Sequence, residues 1–140
     1  MTYRPVMLTG GCVCGAVRFE VTEPLADAGW CHCTRCQRRT GTPASPAGIT
    51  AEGSFRLTHG EDRVTEYVPD GGFVKAFCPV CGGHVYSRSP DGWGRVSVRL
   101  GAVDGDPGIR PRWHQFTADA SAWQPIPDDG LPRFPGRRTP

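Results

Sequence analysis

Between positions 13 and 21 the apolar residues fall on odd numbers, Val13, Gly15, Val17, Phe19 and Val21, with Arg18 and Glu20 between them. A period of two predicts a half-buried strand, because successive side chains of an extended chain point to opposite faces. Glu23-Pro24 ends it. Further strands are predicted at 53–57, 63–68, 72–77, 84–88 and 95–100, separated by turn signals such as Asp70-Gly71-Gly72 and Pro90-Asp91-Gly92. The stretch 30–41, WCHCTRCQRRTG, does not alternate. Its cysteines at i, i+2 and i+5 predict a loop running into a short helical turn that Gly41 closes. Beyond Asp104 the pattern breaks into proline-rich coil punctuated by Trp113, Phe116, Trp123 and Phe134. With no long amphipathic helix and no internal repeat beyond the cysteine clusters, the class is mainly β.

Length changes this picture little: 140 residues fit one domain, 1–140, with one moderate core. Composition changes it more. Nineteen glycines and fourteen prolines stand against only 38% hydrophobic residues, so the core is thin and something else must tie distant segments together. A bound metal does this, since its binding energy is also folding energy, and the metal-free chain is expected to fold poorly. The net charge of +2 is spread from position 4 to 138 without a basic run, which argues against a dedicated nucleic-acid footprint. Fifteen of the sixteen basic residues are arginine, and Lys75 is the one lysine.

Seven cysteines supply the candidate chemistry, as Cys12-x-Cys14, Cys31-x-Cys33-x2-Cys36 and Cys78-x2-Cys81. Such spacings hold thiolates close enough to share one soft ion, and four sulfurs complete a tetrahedral zinc site. If each cluster stays whole, the two pairs combine into one closed site and the triplet holds a second ion with a vacant position. A disulfide framework is disfavoured by the odd count and by the close pairing within C-x-C and C-x2-C. The opening MTYRPVMLTG lacks the apolar core of a signal peptide, and no apolar run approaches a membrane span. The expectation is a reducing, cytoplasmic setting with no membrane partner.

Three thiolates on Zn2+ leave one position for water, a carbonyl or a substrate thiolate, whose deprotonation the metal favours. The competing reading is a closed site in which a histidine completes the set. His32 lies awkwardly between two ligands, while His59, His84 and His114 are freer. Arg35, Gln37, Arg38, Arg39, Thr40 and Thr42 surround the triplet, as cations able to hold substrate carboxylates or as a solvated helix face. Asp27, Glu52, His32 and His59 are conceivable acids or bases, and spacing singles out none.

The ordered set Gly10-Gly11-Cys12-Val13-Cys14-Gly15-Ala16-Val17-Arg18-Phe19, Cys31-His32-Cys33-Thr34-Arg35-Cys36-Gln37-Arg38, Gly41-Thr42-Pro43, Phe77-Cys78-Pro79-Val80-Cys81-Gly82, His114-Gln115-Phe116 and Trp123 resembles the glutathione-dependent formaldehyde-activating enzyme family, also called the centromere-protein-V/GFA domain. The resemblance spans about residues 8–135 and includes all seven cysteines. It implies an Mss4-like fold of antiparallel sheets organised around a structural zinc. Cys12, Cys14, Cys78 and Cys81 would hold that ion, and Cys31, Cys33 and Cys36 a catalytic one, giving two Zn2+ per chain. The implied activity is that of a carbon–sulfur lyase, S-(hydroxymethyl)glutathione synthase-like, with glutathione or another small thiol and formaldehyde or another small aldehyde as partners. One departure is Ala44, where many members of the family carry an aromatic residue after the Gly-Ser/Thr-Pro turn. The alternatives are a non-catalytic zinc module that binds protein or nucleic acid, and a redox sensor that releases zinc from the triplet on oxidation.

Overall fold

Strand geometry follows the odd-position pattern only from Arg18 onward. In the computed structural model, which describes residues 5–139, β1 (Leu8–Gly11) pairs antiparallel with β2 (Arg18–Val21). Val17, Phe19 and Val21 are fully buried, whereas Val13 is 87% exposed. The predicted strand at 13–21 is thus corrected: residues 12–17 form a tight connection that keeps Cys12 buried and leaves Cys14 exposed. There Cys12 N donates to Val17 O (3.1 Å) and Gly15 N to Cys12 O (3.3 Å). Period two was carried through the connection because its alternate residues, Val13 and Gly15, are apolar or small without being buried.

The remaining strands are β3 (Asp27–Cys31), β4 (Ser45–Ile49), β5 (Phe55–His59), β6 (Thr65–Tyr67), β7 (Val74–Phe77), β8 (His84–Arg88), β9 (Val96–Arg99) and β10 (His114–Gln115). One helix, α1 (Thr34–Thr40), follows β3. A three-stranded sheet has the order β1-β2-β5, and a seven-stranded sheet the order β10-β3-β4-β9-β8-β7-β6. All pairs are antiparallel except β10 with β3. The mainly β class of antiparallel sheets built about cysteine clusters is therefore what the chain adopts. The predicted strand at 84–88 coincides with β8, and those at 53–57, 63–68, 72–77 and 95–100 overlap β5, β6, β7 and β9 with shifted ends.

The sheets meet across an aromatic seam. Phe19 and Phe55 of the small sheet lie 5.4 Å apart between ring centres, and Phe55 lies 5.4 Å from Tyr86 on β8. Val85, Val96, Val98, Ala28 and Ala76 join the same core from the large sheet. Tyr86 satisfies its buried hydroxyl by donating to Glu66 (2.6 Å), which Arg88 also holds through Nε (2.7 Å) and Nη2 (2.8 Å).

The tail departs from the expected plain coil. It passes through β10 and then doubles back, with His114 N donating to Pro132 O (2.9 Å) and Phe134 N to His114 O (2.8 Å). Two-residue β10 is too short to announce itself by alternation. Trp113 is held by its indole N–H on the Asp27 carboxylate (3.1 Å) and lies flat over Gly29. A Cβ at Gly29 would stand 2.2 Å from the indole ring, so glycine is what lets the tail close on β3. Gly29→Ala is expected to destabilise the metal-loaded protein by about 1–3 kcal/mol in urea unfolding. Gly101→Ala, where an added Cβ meets nothing within 4 Å, is the unaffected control. Equal midpoints for the two variants would contradict this packing.

Candidate metal centres

Cys12 and Cys14 lie in the connection from β1 to β2, and Cys78 and Cys81 at the tip of the β7–β8 hairpin. Their four sulfurs all lie within 4.8 Å of one another. The Cys12–Cys14 and Cys14–Cys78 Sγ separations are both 3.8 Å. With Zn–S bonds of about 2.3 Å, a tetrahedron has edges of about 3.8 Å, so the donor set fits zinc in both chemistry and spacing. Local backbone geometry supports it. Gly82 takes φ of 75° in the left-handed region, Gly82 N donates to Cys78 O (2.8 Å), and Gly83 N then reaches Cys81 Sγ (3.4 Å). Val17 N does the same for Cys12 Sγ (3.3 Å). Amide donors of this kind favour the thiolate form that a metal requires.

The triplet is assembled by the junction of β3 with α1. Cys31 ends β3, Cys33 caps the helix by accepting from Cys36 N (3.2 Å), and Cys36 lies in the first turn. Gly41 closes the helix with φ of 68° and its N–H on Gln37 O, as the sequence predicts. These three sulfurs also lie within 4.8 Å of one another, and no His, Asp or Glu of the described residues joins either group. Crowding governs their ionisation. Cys33 and Cys36 push the Cys31 thiol up, with burial adding to it, while hydrogen bonds from Cys31 and Cys36 draw Cys33 down. Three thiols this close ionise together only around a cation, which is the donor chemistry of a soft divalent ion.

The histidines take other duties. His59 is exposed on β5 and His84 begins β8. His32 Nε2 meets His114 Nδ1 at 2.8 Å, and His114 Nε2 meets Asp129 Oδ2 at 2.8 Å. Since a carboxylate only accepts, His114 donates from Nε2, and with a neutral His114 ring its Nδ1 accepts from His32. Burial and the neighbouring His114 hold the His32 pKa below its ordinary value, consistent with a neutral ring. Of the four conceivable acids or bases, only His32 adjoins the triplet. Asp27 is committed to Trp113 and to Arg138 (3.0 Å), and Glu52 is exposed in the turn before β5.

Several polar neighbours of the triplet turn out to be structural. Arg35 donates to Gly71 O (2.6 Å) and Asp70 O (3.2 Å), and Gln37 to His32 O (2.7 Å) and Asp119 O (2.8 Å). Thr40 bonds Cys36 O (2.7 Å) and Thr42 (2.6 Å), and Arg38 is exposed. Arg39 instead reaches over the large sheet to Ala76 O (3.2 Å). Sequence reasoning passed over Lys75, Arg99 and Asp129. A lone lysine between core residues Val74 and Ala76, and an arginine one step beyond Val98, were the available signals. Two surface recesses, one lined by Asp106, Arg110 and Leu131 and the other by Asp27, Trp113 and Phe134, hold none of the cysteines.

Fold and geometry together define a mainly β protein with two clusters of thiols, of four and of three, of metal-binding character. The chain belongs to the glutathione-dependent formaldehyde-activating enzyme (GFA) family, whose pattern it matches over residues 7–119. A protein of Halomonas elongata, provisionally named a glutathione-dependent formaldehyde-activating enzyme, is 25% identical over 128 residues, covering 86% of this chain and 82% of that protein. A crystal structure of a Rhodobacter sphaeroides protein superposes with a TM-score of 0.57 at 26% identity, covering 89% of this chain and 98% of that one. No helix of the described residues is long and apolar enough to cross a membrane.

Burial, followed by the charges of Arg39, Arg99 and Lys75, lowers the His84 pKa from 6.5 to about 4. The unfolded chain therefore takes up a proton below pH 6.5 that the folded chain refuses until about pH 4, so this contribution to stability is intact above that window and lost as pH falls through it. His84→Gln should lose less stability than wild type on acidification, by up to about 1.4 kcal/mol per pH unit within the window. A difference in unfolding free energy that does not change with pH would contradict the assignment.

Proposed function

We propose that this protein is a zinc-dependent carbon–sulfur lyase acting on a thiol–aldehyde adduct, and that in the synthetic direction it joins glutathione to formaldehyde as S-(hydroxymethyl)glutathione. The observation that carries this reading is the set of three crowded sulfurs without a fourth protein ligand among the described residues, set beside half-buried cations. Cys12, Cys14, Cys78 and Cys81 hold a structural zinc, and Cys31, Cys33 and Cys36 a catalytic one, two ions per chain. A zinc ion held by those three cysteines would supply Lewis-acid stabilisation of a substrate thiolate.

The chain's own residues position the reaction. The Cys33 cap and the Gln37 bridge fix the loop between β3 and α1, and the His32–His114–Asp129 chain of hydrogen bonds anchors that loop to the tail. In the synthetic direction the thiol gives up its proton, sulfur bonds to the aldehyde carbon, and the former carbonyl oxygen takes a proton. Bringing the two reactants together supplies much of what such a facile addition needs. Seven free thiols suit a reducing compartment such as the cytoplasm.

Cys33→Ser is expected to retain the β-sheet circular dichroism of the wild type while thiol–aldehyde exchange, followed by NMR exchange spectroscopy, falls to the uncatalysed rate. Cys78→Ser removes a ligand buried in the core and is expected to abolish cooperative unfolding. Wild-type exchange rates in a folded Cys33→Ser protein would defeat the lyase reading.

A further inference from the structure

One face of the seven-stranded sheet carries polar side chains across four strands next to the triplet. Cys31 stands opposite Ser45, Ala47 opposite Arg99, Ser97 opposite Ser87, and Ser87 opposite Lys75. Directly opposed residues share a face, so these side chains form one row running from Cys31 to Lys75. Contacts confirm it. Arg99 donates from Nη1 to Ser45 (2.9 Å) and from Nη2 to Ser87 (2.9 Å) and Ser97 (3.1 Å), and Lys75 Nζ lies 3.5 Å from Ser87 Oγ. Helix α1 adds Arg39 over the same sheet.

The charges in this row are unbalanced. Among the described residues no carboxylate pairs with Arg39, Lys75 or Arg99, and serine hydroxyls cannot offset a cation. Arg99 Nε is a buried donor with no partner at all. Burial lowers the pKa of Lys75, with Arg99 adding to it, and lowers that of Arg39 to about 10. The thiolates of Cys36 and Cys31 oppose the shift at Lys75, and those of Cys36, Cys31 and Cys33 oppose it at Arg99, so these cations feel the charge of the sulfurs. Three thiolates balance three cations, but a divalent ion among those sulfurs leaves an excess of two positive charges. Uncompensated charge out of water is costly, and an unpaired cation cluster beside a reaction centre marks the place of an anion.

We propose that Arg99, Lys75 and Arg39 form an oxyanion subsite on the sheet beside the three cysteines, and that it takes the carboxylate of the thiol substrate. This rests on the reading of Cys31, Cys33 and Cys36 as the reaction centre, and it makes these three cations specificity-determining residues. A substrate thiolate and its carboxylate together neutralise the excess. Neutral thiols of the same size lack the second charge and bind poorly.

The test compares 3-mercaptopropionate, 2-mercaptoethanol and propionate by calorimetry on the zinc-loaded protein. Wild type is expected to bind mercaptopropionate more tightly than mercaptoethanol by about ten-fold, the worth of one charge-assisted hydrogen bond. The preference should shrink to within about two-fold in Lys75→Met and in Arg39→Met, and persist in Arg38→Met, which changes an exposed arginine of the same helix. Equal binding of the two thiols to wild type, or an undiminished preference in Lys75→Met and Arg39→Met, overturns the subsite. Propionate separates this inference from the lyase reading, because it engages the cations alone. Binding of propionate by wild type and Cys33→Ser, with loss in Lys75→Met, supports the subsite even if no thiol–aldehyde exchange is found. Propionate binding that Lys75→Met leaves unchanged counts against it.

Discussion

Four sulfurs from segments more than sixty residues apart converge on one point, and the arrangement of both sheets depends on that convergence. The connection at 12–17 launches β2 of the small sheet, and the hairpin tip at 78–83 joins β7 to β8 of the large one. Bringing the two knuckles together therefore fixes one sheet against the other beside the Phe19–Phe55–Tyr86 seam. With so much glycine and proline and so few apolar residues, this chain cannot rely on core burial alone to secure that alignment. The 3.8 Å sulfur spacing shows backbone geometry already shaped to a tetrahedral edge, with Val17 and Gly83 amides turned toward the thiols.

The second group of sulfurs depends on a different device. Cys31 comes from a strand and Cys33 and Cys36 from a helix start, so their proximity needs a sharp change of direction within two residues. The Cys33 cap, the Gln37 bridge and the His32–His114–Asp129 chain hold that change in place. The tail thus belongs to the centre's support. It closes on β3 because Gly29 leaves room for Trp113 and because β10 adds a parallel strand to the sheet edge.

How far the sequence revealed this varies with the physics of each part. The cysteine spacings were legible because a ligand pair within two or three residues is a local constraint, and the 4.8 Å groupings keep each pair intact. Strand β8 was legible because His84–Arg88 is a short run bounded by glycine and turn residues. β3 and β4 were missed: Asp27–Cys31 contains Gly29 and Ser45–Ile49 contains Pro46 and Gly48, residues that weaken any strand signal and are tolerated only because of what packs on them. Period two misled at Val13, where alternation runs through a loop. Lys75 and Arg99 were invisible as site residues because their meaning comes from cross-strand register, and register is a property of the folded sheet.

Two ions, held separately, would do separate work in this small β protein. Zinc per chain, measured by elemental mass spectrometry on protein purified without chelator or added thiol, tests it most directly when wild type and Cys33→Ser are compared. Two zinc ions are expected in wild type and one in a folded Cys33→Ser protein. One ion in both proteins would show that the triplet holds no resident metal and would contradict the account.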